Sequence, residues 1–234
     1  MKYRARIIDL IMVSKKLATL DARFAFTGGA VVPLLMDHPE LVVSRPTKDV
    51  DVIVEVVTRI QYTDLEEQLR GIGFHHDTSE DAPICRWVFD DVRIDIMPMK
   101  DPTGSLNNRW FELALTTAVP FTVRQDQIQI VTAPCFLATK LEAFLGRGAG
   151  DFMGSHDIED FLAVVDGRER LIEEIGTAPQ QVRGFIGQSV ASFMTTQRFL
   201  DCLPGHLPPD AASQQRVPIV RERLNRMAML FGVK

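Results

Sequence analysis

The sequence predicts an α+β domain to about residue 133, followed by an all-helical part. Three observations carry this expectation. Short apolar or alternating runs bounded by Gly, Pro and Asp, the pattern of strands, recur between residues 24 and 131. From Pro134 onward no such run remains, and apolar residues recur at helical spacing. A length of 234 residues accommodates one large domain or two small ones, read here as 1–133 and 134–234.

The elements follow in order. Ile7, Ile8, Ile11, Leu17 and Leu20 line one side of an N-terminal amphipathic helix. The segment is basic and then apolar, like a leader. However, Asp9, Lys15 and Lys16 interrupt it and no small-residue cleavage site follows. Phe24 to Thr27 reads as a short buried strand, and Gly28-Gly29 turns the chain into the apolar segment Ala30 to Met36. A loop through Asp37-His38-Pro39 ends that segment. Val50 to Val56 is a strand, and Asp64 to Leu69 begins a helix that Gly71 and Gly73 terminate. Ile84 to Phe89 and Val92 to Met97 form a hairpin with Asp90-Asp91 at its turn. Trp110 to Thr117 is helical, and Phe121 to Val123 with Ile128 to Val131 makes a second strand pair. Helices are expected over 135–147, 156–166, 168–175, 178–187, 189–202 and 218–231, with a loop from Pro204 to Gln214.

Composition narrows the function classes. An apolar fraction of 46% and a charged fraction of 24% are those of an ordinary globular protein. The net charge of −5 argues against a global basic field for nucleic acid, while leaving room for a local basic groove. No apolar stretch approaches the length of a membrane-spanning helix, so no membrane partner is expected. Cys85, Cys135 and Cys202 are few, odd in number and far apart. They suit a reducing cytoplasm better than a disulfide framework or a zinc site.

The informative run is Arg45-Pro46-Thr47-Lys48-Asp49-Val50-Asp51. Residues two apart in a strand share a face, so Asp49 and Asp51 project together. Their repulsion is relieved by a cation between them, and Mg²⁺ or Mn²⁺ takes such hard oxygen ligands while leaving room for phosphate. A strand end with two solvated aspartates has the same pattern. Arg93-Ile94-Asp95 adds a third carboxylate on a second strand, with an Arg93–Asp95 surface ion pair as the plain structural alternative. Gly28-Gly29, following Thr27 at a strand end, offers backbone N–H groups to a phosphate, or is an ordinary tight turn. Lys140 and Arg147, seven residues apart on one helix, present positive charge to a triphosphate or to solvent. Ser155 can cap the next helix, and Asp157 either favours its positive end or joins the site.

Together these features resemble the nucleotidyltransferase superfamily with the DNA-polymerase-β-like fold: a Gly-Gly turn, two acids separated by one apolar residue, and a third acid on a later strand. The interval from Gly29 to Asp49 is longer than in compact members and implies an insertion around Asp37 to Val43. That spacing is similar to the AbiEii-type nucleotidyltransferases, which include toxins of toxin–antitoxin pairs. Their Arg-x-Thr/Ser-x-Asp-x-Asp run is matched by Arg45 to Asp51 and their Lys-x-x-Ala helix by Lys140 to Ala143. Their Lys-Asp-x-x-Asp motif is matched by His156 to Asp160, with His156 in the lysine position. The resemblance spans roughly residues 22 to 168. It implies a mixed sheet and a helical C-terminal part. It also implies Mg²⁺ or Mn²⁺ held by Asp49, Asp51 and Asp95, and an NTP substrate met by Thr27, Gly28, Gly29, Arg45, Thr47 and Lys140. Asp157 joins the catalytic set, and Asp95 can also help to deprotonate the acceptor. The implied reaction moves an NMP to a hydroxyl of RNA, the tRNA 3′ end included, or of protein, and the implied partners extend to an antitoxin.

Other signals are set aside. Gly146-Arg147-Gly148-Ala149-Gly150 follows a helix, not the strand that a dinucleotide loop needs, and no Walker-type run is present. His75-His76-Asp77 has no further ligand at metal spacing. Trp87 and Trp110 are read as core. A glycosyltransferase would use the two aspartates but leave Gly28-Gly29 and Asp95 without a role. A non-catalytic RNA- or partner-binding module on the same scaffold is the remaining alternative.

Overall fold

A computed structural model describes residues 2–39, 47–100, 108–148 and 150–230. It falls into two compact units, Met1–Val31 with Arg45–Thr132, and Val32–Ser44 with Ala133–Lys234.

The first unit is built on a mixed seven-stranded sheet. Its strands are β1 (Phe24–Thr27), β2 (Asp49–Val54), β3 (His75–His76), β4 (Arg86–Phe89), β5 (Val92–Pro98), β6 (Val119–Val123) and β7 (Asp126–Ile130), in the order β3-β4-β5-β2-β1-β7-β6. β2 runs antiparallel to β1 and parallel to β5, while β1 runs parallel to β7. Helices α1 (Lys2–Leu17), α2 (Arg59–Gly71) and α3 (Phe111–Thr116) complete the unit. One sheet face carries Phe26, Val50, Val52, Ile94, Ile96 and Trp87, all buried. Because β1 and β2 are central, Ala25 and Ile53 on the opposite face are also fully buried. Polar residues are therefore confined to the ends of these strands.

Local chemistry sets the element ends. α2 starts five residues before Asp64 because Thr58 and Gln61 form a capping box. Asp90 and Asp91 both have positive φ, 48° and 62°, the conformation of a two-residue type I′ hairpin turn. His75-His76, expected as a surface turn, forms an edge strand paired with Val88 and Trp87. The His76 ring lies on the Trp87 indole, with centroids 3.8 Å apart. The apolar run after Gly28 becomes a 3₁₀ helix, Gly29–Leu34, that contains Pro33.

The second unit contains α4 (Ala133–Arg147), α5 (His156–Gly167), α6 (Leu171–Thr177), α7 (Gln180–Met194), α8 (Gln197–Cys202), α9 (Ala211–Gln214) and α10 (Val217–Met229). Two boundaries differ from expectation. The helix expected to break near residue 188 runs through as α7, because buried Val182, Ile186, Val190 and Phe193 sit on one stripe. The stretch Pro204 to Gln214 is not wholly a loop. It contains a 3₁₀ turn and α9, which Asp210 caps through the Ser213 N–H. Phe144, Phe152, Phe193 and Phe199 form an aromatic cluster with centroids 5.0–5.6 Å apart. Arg223 of α10 donates to the carbonyls of Val165 and Asp166 at the end of α5, while Arg216 pairs with Asp166 at 3.0 Å. Residues 32–39 belong to this unit. The Asp37 N–H donates to the Gly167 carbonyl at 3.0 Å, and Arg168 donates to that of Leu35 at 2.8 Å.

Candidate active site

Strand register assembles the site in the first unit. Thr27 pairs with Asp51, Asp51 with Asp95, and Asp95 with Arg86. Register partners share a sheet face, so these four side chains form a row across β1, β2, β5 and β4. Asp49, two residues before Asp51, joins the same face.

Gly28 closes one end of the row. Its φ is +67°, and a Cβ placed there would lie 1.8 Å from Asp51 Oδ2. Only glycine lets the backbone lie against this carboxylate.

Asp49 and Asp95 are tied together at the other end. The Thr47 hydroxyl donates to Asp49 Oδ1 at 2.9 Å. Arg86 Nη2 donates to Asp49 Oδ2 at 3.0 Å and to Asp95 Oδ2 at 2.7 Å, and its Nε donates to Asp95 Oδ1 at 2.7 Å. The pairing with Asp95 is the bidentate fork that a guanidinium makes best, and it holds the Arg86 pKa above its ordinary value. Asp95 does not pair with Arg93, whose Nε lies 3.5 Å from Asp77 instead.

The donor set fits a divalent cation. Three carboxylates on one face supply hard oxygens, and the Gly28 backbone packs directly on the Asp51 carboxylate. Among the described residues, no group of three His, Cys, Asp or Glu side chains is gathered closely enough to be a ready-made metal cage, and Arg86 spans Asp49 and Asp95. Cys85, next to Arg86, is buried, and burial pushes its thiol pKa up to about 12, away from the thiolate form.

Lys140 and Asp157 lie in the second unit. Lys140 Nζ is 2.7 Å from Asp160 and 3.2 Å from Asp157, with its side chain only 12% exposed. It is thus not on a solvated helix face, because two buried carboxylates of α5 hold it. Arg147, largely exposed, also reaches Asp157 at 3.0 Å. Ser155 is the N-cap of α5, accepting from the Ile158 N–H, and Asp157 stands in the first turn. His156 pairs with Glu159. Arg45 lies outside the described residues, as do residues 40–43 of the implied insertion.

Among solved structures, an antigenic nucleotidyltransferase-like protein from Paracoccidioides brasiliensis is similar, with a TM-score of 0.56 and 16% identity over 94% of this chain and 92% of that one. The chain has the fold of nucleotidyltransferase-like proteins. Weaker likenesses are to the antibiotic-resistance factor ANT(2'')-Ia (TM-score 0.46, 10% identity, 84% and 97% of the two chains) and to JHP933 from Helicobacter pylori (TM-score 0.45, 12% identity, 97% and 89%). No protein-family model matches the sequence, and no curated protein matches it.

Within this fold, Arg86 is the residue that the sequence reading did not single out. A signal for it existed. Counting outward from the two-residue turn at Asp90-Asp91 sets Arg86 opposite Asp95. Thr47 was read as a substrate contact, and its hydroxyl holds Asp49.

Proposed function

We propose that the protein is a divalent-cation-dependent nucleotidyltransferase. One observation carries the reading: Asp51 and Asp95 are register partners, with Asp49 on the same face and the Gly28 turn packed on Asp51. Asp49, Asp51 and Asp95 would hold the cations. When bound, such ions neutralise charge on the attacking and leaving oxygens of an in-line displacement. An acceptor hydroxyl oxygen attacks the α-phosphorus of an NTP, its bond to the bridging oxygen breaks, and pyrophosphate leaves while the hydroxyl proton passes to a base or water. The turn at Gly28-Gly29 would face the phosphates with backbone rather than side chains. Thr47 orients Asp49. The resemblance to AbiEii-type proteins supports a triphosphate contact for Lys140, a site role for Asp157, an acceptor hydroxyl on RNA or protein, and pairing with an antitoxin in the cytoplasm. No helix among the described residues is long and apolar enough to cross a membrane.

RNA, through a 3′ hydroxyl, is the first acceptor to test. Of the basic residues that could contact it, Arg86 and Arg93 of the first unit and Lys140 and Arg147 of the second are each engaged by carboxylates, and Arg109 lies over the Trp110 ring. RNA affinity would therefore rest on few unneutralised charges, and its salt dependence would be shallow. The test is incubation with Mg²⁺ or Mn²⁺, total RNA and cell proteins, with α-labelled and γ-labelled NTPs in parallel. Label from the α-position alone, entering a macromolecule, is expected. Transfer of γ-label overturns the reaction class, and α-label on protein alone overturns the RNA acceptor. No label with any of four NTPs favours a non-catalytic module.

A further inference from the structure

We propose that Arg86 competes with a divalent cation for Asp49 and Asp95, and so sets how tightly these carboxylates bind it. The proposal rests on the nucleotidyltransferase reading of the same carboxylates and adds a residue to it. All four oxygens of Asp49 and Asp95 already accept hydrogen bonds: one from Thr47 and three from Arg86. A cation coordinated by both carboxylates must displace or share with the guanidinium. The competitor is firmly placed, because its backbone is fixed by the β4–β5 register and its side chain is only 18% exposed. Its fork matches a carboxylate as a lysine ammonium cannot. It also brings a positive charge that repels an incoming cation at short range. Both effects weaken cation binding, and both vanish when Arg86 is truncated.

The cost of truncation points the same way. Without Arg86, three carboxylates share one face with no guanidinium between them. Mutual repulsion then disfavours the fold unless a cation replaces it. Arg86→Ala should therefore make the protein depend on added metal for a stability that the native chain draws from its own side chain.

The experiment measures Mn²⁺ binding to the full chain by electron paramagnetic resonance and isothermal calorimetry, with thermal melts in EDTA and in Mn²⁺. Wild type, Arg86→Ala, Arg86→Lys and Asp51→Asn are compared. Arg86→Ala should bind Mn²⁺ about tenfold more tightly, or better, on the scale by which neighbouring groups tune metal sites. Arg86→Lys, which keeps the charge and loses the fork, should fall between it and wild type. Arg86→Ala should melt lower than wild type in EDTA and gain more from Mn²⁺. If Arg86→Ala does not fold in EDTA, Arg86→Lys carries the affinity comparison. Equal or weaker Mn²⁺ binding in folded Arg86 variants, with wild-type binding lost in Asp51→Asn, overturns the role of Arg86 alone. Binding that survives Asp51→Asn, or no binding by any variant, overturns the carboxylate reading together with it.

Discussion

On the proposed reading Asp49 and Asp51 would each lend an oxygen pair to the cations, and neutralising either should leave the buried Val50 and Val52 packing in place. Asp49→Asn and Asp51→Asn should each lower α-label transfer on the order of 10³-fold or more. Their circular dichroism should stay native, and near-wild-type turnover in a folded double mutant would sink the assignment. Lys140 is a different kind of residue. It sits between buried Asp157 and Asp160, and Lys140→Ala removes the ammonium from both, with Arg147 still reaching Asp157. A loss of about 3 kcal/mol is expected, read by chemical denaturation. A loss below 1 kcal/mol with reduced kcat/KM for NTP would instead mark a phosphate contact that the α5 carboxylates merely orient. Cys85 offers a pH test. Its thiol ionises near 12 in the folded chain against 9.0 when exposed, so alkylation at pH 8 should be slow in native protein and fast in denaturant. The unfolded chain releases this proton first, so stability should decline as pH rises from about 9.

The β4–β5 hairpin is the element on which the site's register depends. A type I′ turn needs positive φ at both central positions, and Asp91 adopts 62° without being glycine. Asp91→Gly should stabilise the protein by about 0.5–1 kcal/mol and leave Arg86 opposite Asp95. A lower melting temperature would mean that the Asp91 side chain contributes more than its backbone strain costs. The Gly28 turn makes the opposite case. Gly28→Ala combines about 1–2 kcal/mol of left-handed backbone cost with a clash on Asp51. It should reduce stability and Mn²⁺ binding together, and loss of neither would show that the turn yields easily. At α5 the cap is ordinary. Ser155→Ala should cost about 1 kcal/mol by thermal melt, with transfer activity kept in the folded fraction.

At the scale of the molecule, a cut at residue 133 does not follow the second unit. Residues 32–39 supply hydrogen bonds to Gly167, Arg168 and Glu169, and Met36 packs where a Gly167 side chain would stand. A fragment of residues 134–234 loses these partners and exposes apolar surface. It should melt well below the full chain and with less cooperativity, as scanning calorimetry would record. Adding residues 32–44 in trans, or joining them by a linker, should recover part of the loss. Equal melting of the fragment and the full chain would make the boundary at 133 sufficient.

The carboxylate set was legible because strand alternation has a period of two. Asp49 and Asp51 must share a face in any strand that buries Val50 and Val52. The α+β order, the hairpin and the helical character after Pro134 were legible for the same reason, since each is written in local periodicity. The partner of Asp95 was not fixed by that pattern. Arg93 lies two residues away in sequence, but it extends to Asp77, while Arg86 arrives from the neighbouring strand with its fork against both oxygens. Likewise, helical spacing places Lys140 on a face but cannot say that α5 lays two buried aspartates against it. Periodicity determines which way a side chain points, and only the packing of distant segments decides which charge it meets there.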